Sequence, residues 1–167
     1  MTQNKTLVVI PARLASLRLP DKPLALIGND PMIVHVWRRA MEADTGPVIV
    51  ACGDAPIAEA IEKVGGTAVM TDPDLPSGSD RVWAGAQQFD PDGEHNCIVN
   101  VQGDLPTLEP RLIKAAVAAL HEGQADIGAL VAEITDPAET EDPNVVKVAI
   151  HFPPGQTVAP ALYFSRN

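Results

Sequence analysis

The chain has 167 residues, 46 % of them hydrophobic and 20 % charged, which is the usage of a globular domain and excludes disordered and fibrous classes. That length suffices for one α/β domain that buries roughly 70 % of the surface its unfolded form exposes, so a single domain is expected over 1–167. A net charge of −10 excludes the broad basic face that nucleic-acid backbones require. No apolar run reaches the length of a membrane span and the N-terminus has no signal-peptide pattern, so a cytoplasmic protein without membrane partners is expected.

In chain order, Thr6 to Ile10 is a continuous apolar run closed by Pro11, the pattern of a strand buried on both faces. Segments 47–51 and 97–101 read the same way, Thr67 to Met70 as a shorter strand, and Ile127 to Ile134 and Val145 to Ile150 as later ones. Asp30 and Pro31 read as N-cap and first turn of a helix whose Ile33, Val36, Trp37, Ala40 and Met41 share a stripe. Asp54 caps a second helix, with Ile57, Ala60, Ile61 and Val64 inward and Gly65-Gly66 at its end. Ser79 can cap a third, carrying Val82, Ala86 and Phe89. Pro110 starts a fourth, with Ile113, Ala116, Val117 and Leu120 inward. Alternating strands and helices predict a Rossmann-like, mostly parallel sheet with helices on both faces. In such sheets ligands sit beyond the carboxyl ends of the strands. Cys52 and Cys97 lie at the edges of strand-like runs and read as core filler. The last residues, 161–167, stop within an apolar run, which suggests truncation at the C-terminus.

Three segments fall at predicted strand or helix ends. Pro11 to Leu24 follows the first strand and carries Arg13, Arg18 and Lys22 with one acid, Asp21, a local reversal of sign in an acidic chain. It has neither a Walker triplet nor a dinucleotide glycine fingerprint. Its small residues Ala12, Ala15 and Ser16 let backbone amides approach phosphate oxygens, while Arg13 and Lys22 can neutralise a triphosphate. A solvated proline-rich loop is the alternative. Asn100-Val-Gln-Gly-Asp104 ends another strand. Asp104 suits Mg2+, which takes one or two carboxylates together with substrate phosphates, and Gln102 offers donors and acceptors to a polyhydroxy substrate. Alone, the Gly-Asp pair is equally a turn. Leu75 to Arg81 runs into the third helix, where Ser77 and Gly78 can face the edge of a base, although Ser-Gly-Ser-Asp is also an ordinary helix start. The four histidines show no zinc spacing.

Together, Ile10-Pro-Ala-Arg-Leu-Ala-Ser, Arg18-Leu-Pro with Lys22-Pro-Leu, Pro31-Met-Ile-Val-His-Val36, Ser77-Gly-Ser-Asp-Arg81, Val99-Asn-Val-Gln-Gly-Asp104, Asp142-Pro-Asn with Val146-Lys-Val148, and Ala161-Leu-Tyr-Phe-Ser-Arg166 resemble the 3-deoxy-manno-octulosonate (Kdo) cytidylyltransferases. The resemblance runs the visible length. It implies a nucleotide-diphospho-sugar transferase type of fold and the reaction of CTP with Kdo to give CMP-Kdo and pyrophosphate, for lipopolysaccharide synthesis. It also implies Arg13 and Lys22 on the triphosphate, Ser77 and Gly78 near cytosine, Asp104 on magnesium, and Gln102, Arg81 and Arg166 near the sugar acid. A second metal-binding Asp and much of a homodimer interface belong to a C-terminal portion of the family with no counterpart here. Leu17 stands where the family usually has Thr, Asp21 where it has Gly, and Leu75-Pro76 where a pair such as His-Gln is usual. The rivals are another sugar nucleotidyltransferase of this fold and a nucleotide-binding fragment without turnover.

Overall fold

The computed structural model describes residues 5–15, 19–123 and 125–166. Two compact units form, one up to Lys114 and one from Ala115 onward, where the sequence reading takes a single domain.

The first unit is built on four parallel strands, β1 (Thr6–Ala12), β4 (Val48–Cys52), β5 (Thr67–Met70) and β6 (Cys97–Asn100), in the order β5-β4-β1-β6. A short antiparallel pair, β2 (Leu26–Ile27) and β3 (Asp30–Pro31), precedes helix α1 (Met32–Glu42). Helices α2 (Ala55–Glu62) and α3 (Gly78–Phe89) follow β4 and β5, and α4 spans Pro110–Glu122. The unbroken apolar character of β1 and β4 has its cause in two-sided burial. Val8, Ile10 and Val50 pack with Ile33, Val36 and Ala40 of α1 and Ile57 and Ile61 of α2, whereas Leu7, Val9, Ile49 and Ala51 face Val82 and Ala86 of α3. Helices therefore cover both faces of a parallel sheet, as predicted. Each fully buried aliphatic side chain in it contributes about 1.5–3 kcal/mol relative to exposure. Gly85 lets α3 sit close, because a Cβ there would lie 2.6 Å from the Ala51 side chain. Both cysteines are buried and free, and burial pushes the Cys52 thiol up to about 11, consistent with an inert core thiol.

Several predicted boundaries move. Asp30 does not cap α1: the cap is Pro31, and Asp30 pairs in β3 while accepting from Arg38 Nη1 at 2.6 Å. Ser77, not Ser79, caps α3. Both serines are chemically able to cap, but Ser77 alone has an acid three residues on: its Oγ accepts from the Asp80 amide at 3.2 Å and donates to the Asp80 carboxylate at 2.5 Å, so Asp80 holds the hydroxyl in its capping position. Phe89 is 38 % exposed rather than inward.

In the second unit β7 (Lys147–Ile150) pairs antiparallel with β8 (Ala161–Ser165), and a short helix α5 spans Ala138–Glu141. The predicted strand at Ile127 to Ile134 does not form. Its apolar composition supplies propensity, yet a strand needs a neighbour to satisfy its backbone, and among the described residues none pairs with it. Among the described residues no helix is long and apolar enough to cross a membrane.

Candidate functional site

The chain passes from β1 to β4 and β5 on one side of the sheet, then returns to place β6 on the other side of β1. Connections leaving β1 and β6 thus diverge, which opens a crevice at their carboxyl ends, the switch point at which α/β sheets bind ligands. A cavity of about 320 Å³ lies there.

Four segments line it. The end of β1 and the loop beyond it contribute Pro11, Ala12, Arg13, Lys22 and Pro23; Met32 comes from the start of α1. The approach to α3 contributes Leu75, Ser77, Gly78 and Arg81, and the loop after β6 contributes Gln102, Gly103 and Asp104. The structure therefore brings Ala12, Arg13, Lys22, Ser77, Gly78, Arg81, Gln102 and Asp104 into one cavity. Ser16, with Arg18, lies outside the described residues. Arg166 belongs to the second unit, where its Nη1 donates to the Pro143 carbonyl at 3.1 Å and its own carbonyl accepts from Lys147 Nζ at 2.7 Å.

Lys22 and Asp104, 82 residues apart, meet across the crevice with Nζ 2.6 Å from Oδ2. Both side chains stay accessible, at 37 % and 48 %. Lys22 begins a one-turn 3-10 helix that ends at Leu24, and Asp21 before it adopts a left-handed backbone (φ 53°). Glycine reaches that conformation at no steric cost and aspartate is among the few others that tolerate it. A Gly here, which the resemblance implies, would have a backbone reason, and Asp21 fills the same role while adding charge. Arg13 is exposed and makes no hydrogen bond or ion pair among the described residues, so its guanidinium is available to a ligand.

Arg81 behaves differently. It is 2 % exposed, and its terminal nitrogens donate to Thr71 Oγ1 at 2.5 Å and to the Pro73 carbonyl at 3.0 Å. Among the described residues no carboxylate lies within ion-pair distance of it. A guanidinium so engaged holds the segment leading to α3 and projects positive potential into the cavity; it does not offer a free fork. Gln102 points its amide at Asn100, with Nε2 donating to Oδ1 at 3.1 Å.

Among the lining side chains three are cationic (Arg13, Lys22, Arg81) and one is acidic (Asp104), so the cavity is basic inside an acidic protein. Such a site favours a polyanion. Beside it, the first amides of α3 give a second anion-stabilising feature.

The chain is similar to known proteins in sequence and in fold. The family model described as "Cytidylyltransferase" matches residues 7–167. The 3-deoxy-manno-octulosonate cytidylyltransferase of Paramagnetospirillum magneticum is 54 % identical over 99 % of this chain and 68 % of its own length. The enzyme of that name from Rhodospirillum rubrum is 57 % identical over 99 % of this chain and 69 % of its own, and that of Parvibaculum lavamentivorans 59 % identical over 96 % and 62 %. The chain belongs to the 3-deoxy-manno-octulosonate cytidylyltransferase family. A solved CMP:2-keto-3-deoxy-manno-octonic acid synthetase complexed with CTP superposes with a TM-score of 0.78 at 36 % identity, over 98 % of this chain and 64 % of that one. A cytidylyltransferase from Leptospira borgpetersenii, 22 % identical with a TM-score of 0.62, shares the fold. The chain spans about two thirds of the length of the relatives it matches. Cytidylyltransferases are nucleotidyltransferases, and membership fixes that class of chemistry for the family.

Sequence reasoning missed contributors whose role is steric. Gly103 reads as a turn glycine, but a Cβ there would lie 2.6 Å from the Pro11 carbonyl oxygen; only glycine lets the loop after β6 close onto β1 and bring Asp104 to Lys22. Gly53 makes room for the Arg81 guanidinium, whose Nη1 would be 2.8 Å from an added Cβ. Neither contact leaves a mark in local periodicity, because each partner is remote in sequence.

Proposed function

We propose that the cavity binds CTP and that the chain's reaction is transfer of CMP to Kdo with release of pyrophosphate, for lipopolysaccharide synthesis. The observation that carries the reading is the Lys22–Asp104 pair at the switch point, which sets a phosphate-binding cation beside a single accessible carboxylate within a basic cavity. The curated relatives bear the name of this activity.

The fit to magnesium follows from the donor set. Among the described residues no three His, Cys, Asp or Glu side chains cluster as a metal cage, so the protein alone does not form a closed site. Magnesium typically uses one or two carboxylates and completes its shell with substrate phosphates and water. Asp104 suits that demand, and a nucleotide would supply the rest. Asp104 would hold the ion, which when bound neutralises charge on the phosphate oxygens.

In the reaction the Kdo anomeric hydroxyl attacks the α-phosphorus in line and gives up its proton to solvent. The new P–O bond forms as the bond from the α-phosphorus to the bridging oxygen breaks, and pyrophosphate leaves with the electron pair. Arg13 and Lys22 neutralise the triphosphate and the charge that grows on the leaving group. Lys22 must exchange its hydrogen bond to Asp104 for one to phosphate, so nucleotide entry frees the carboxylate as it occupies the lysine. Ser77 and Gly78 lie on the base side, and Gln102 on the sugar side. Arg81 adds positive potential from beneath. Orientation in such a site can supply roughly 7–11 kcal/mol in favourable cases. The reading further takes the reaction to be cytoplasmic; the resemblance implies a homodimer for the full-length protein.

Pyrophosphate release from a panel of nucleotides and acceptors tests the assignment. CTP with Kdo and magnesium is expected to give the highest rate, and a better pair would replace the substrate assignment. Because the chain spans only part of its relatives' length, CTP binding without turnover at saturating Kdo and magnesium would favour a binding module instead.

A further inference from the structure

Asp54 stands where a helix N-cap is expected, immediately before α2, with an extended backbone (φ −138°, ψ 131°). Its carbonyl starts the helix by accepting from the Ile57 amide at 3.1 Å. Its carboxylate does not cap α2. Instead, Oδ2 accepts the amide of Leu14, 40 residues earlier, at 2.8 Å.

The neighbouring bond makes this consequential. The β1–β4 ladder ends with Ala12 opposite Cys52, and one step further the Gly53 amide donates to the Ala12 carbonyl at 3.2 Å. Arg13 is thus bracketed: the residue before it is tied to Gly53 and the residue after it to Asp54. No glycine occurs between Pro11 and Leu24, so this loop lacks the glycine-built amide nest of other phosphate loops. Arg13 has no side-chain partner among the described residues, which leaves its two backbone neighbours to determine where its guanidinium starts from.

We propose that Asp54 is a positioning residue: by holding the Leu14 amide it aims Arg13 into the cavity and so sets the affinity for the nucleotide triphosphate. The proposal rests on the reading that Arg13 meets the triphosphate. Preorganised cations act strongly because no ordering is left to be done on binding.

The test is calorimetric titration of CTP with magnesium into this chain, with amide hydrogen exchange at Leu14 as a second readout. Asp54→Ala should weaken CTP binding about tenfold, the scale of one hydrogen bond to a charged group, and speed exchange at Leu14. Asp54→Ser separates positioning from folding, since a serine is a favoured N-cap residue for α2 but is one bond too short to reach Leu14; it should show the same loss. Asp54→Asn keeps an acceptor at the same reach and should restore most of the affinity. In an Arg13→Ala background Asp54→Ser should cost nothing more. Unchanged CTP affinity in Asp54→Ser, or losses that add in the double variant, would overturn the proposal. If Arg13→Ala alone leaves CTP affinity unchanged, the reading of the site itself fails and takes the proposal with it.

Discussion

The cavity has two walls built on opposite plans. The wall from Thr71 to Arg81 is tied together locally: the Thr71 amide and hydroxyl both donate to the Cys52 carbonyl, Arg81 holds Thr71 and Pro73, and Ser77 and Asp80 satisfy each other. The wall from Pro11 to Leu24 is held from a distance, by Asp54 and Asp104. An arginine on the first wall is spent on structure, whereas an arginine and a lysine on the second line the cavity with accessible side chains. Residue type alone does not distinguish them; the number of protein acceptors each one meets does.

If that contrast is right, variants should divide between chemistry and folding. The largest effect is expected from Asp104→Ala, which should lower pyrophosphate release by about a thousandfold or more, the scale on which a group essential to transition-state charge acts. Its side chain is accessible and bonded to Lys22, so circular dichroism and thermal midpoint should stay near those of the parent. Near-normal release would remove Asp104 from the reaction.

Lys22→Ala should slow release by about two orders of magnitude, the usual cost of one preorganised donor. The ion pair it breaks is exposed, so urea unfolding should change by less than about 1 kcal/mol. A stability loss larger than the loss of rate would place Lys22 with the structural wall.

Arg81→Met should behave the other way round. Removing a buried guanidinium takes the donor from the Pro73 carbonyl and from the Thr71 oxygen, whose hydroxyl keeps its bond to Cys52, and a loss of about 2–3 kcal/mol is expected in urea unfolding. Arg13→Ala, by contrast, should leave unfolding unchanged and weaken CTP. Equal stability for the two arginine variants would erase the distinction between the walls.

The smallest effect is expected from Asp21→Gly. It relieves a left-handed aspartate and removes a negative charge next to Lys22, so CTP affinity should rise by less than about threefold, since exposed charges interact weakly. A marked loss of affinity would show that this acid assists the nucleotide.

Much of the first unit was legible because burial is written into periodicity. Continuous apolar runs at β1 and β4 announce two-sided burial, and apolar stripes announce α1, α2 and α3. The site loops were legible as well, by position after strands, by a basic cluster against an acidic background, and by resemblance. The strand expected at Ile127 to Ile134 was not, because its formation depends on a neighbour that composition cannot name. The cap of α3 was misplaced by two residues, since Ser77 and Ser79 are equivalent until the reciprocal bond to Asp80 is considered. Asp54 reads as a side-chain cap for the same reason: an aspartate before a helix has a local use, and nothing nearby reveals its bond to the Leu14 amide.

Sequence by itself determined the alternation of parallel strands with helices in the first unit, the end of the sheet at which ligand loops are expected, the sign of the site and the family, because these follow from patterns within short windows or from blocks in a fixed order. Only the tertiary structure decided which cations lack protein partners, that Lys22 meets Asp104, that Gly103 is a steric necessity, and that Asp54 bonds the Leu14 amide. Each of those depends on a contact between residues far apart in the chain, and a contact of that kind is set by how β1, β4 and β6 lie side by side.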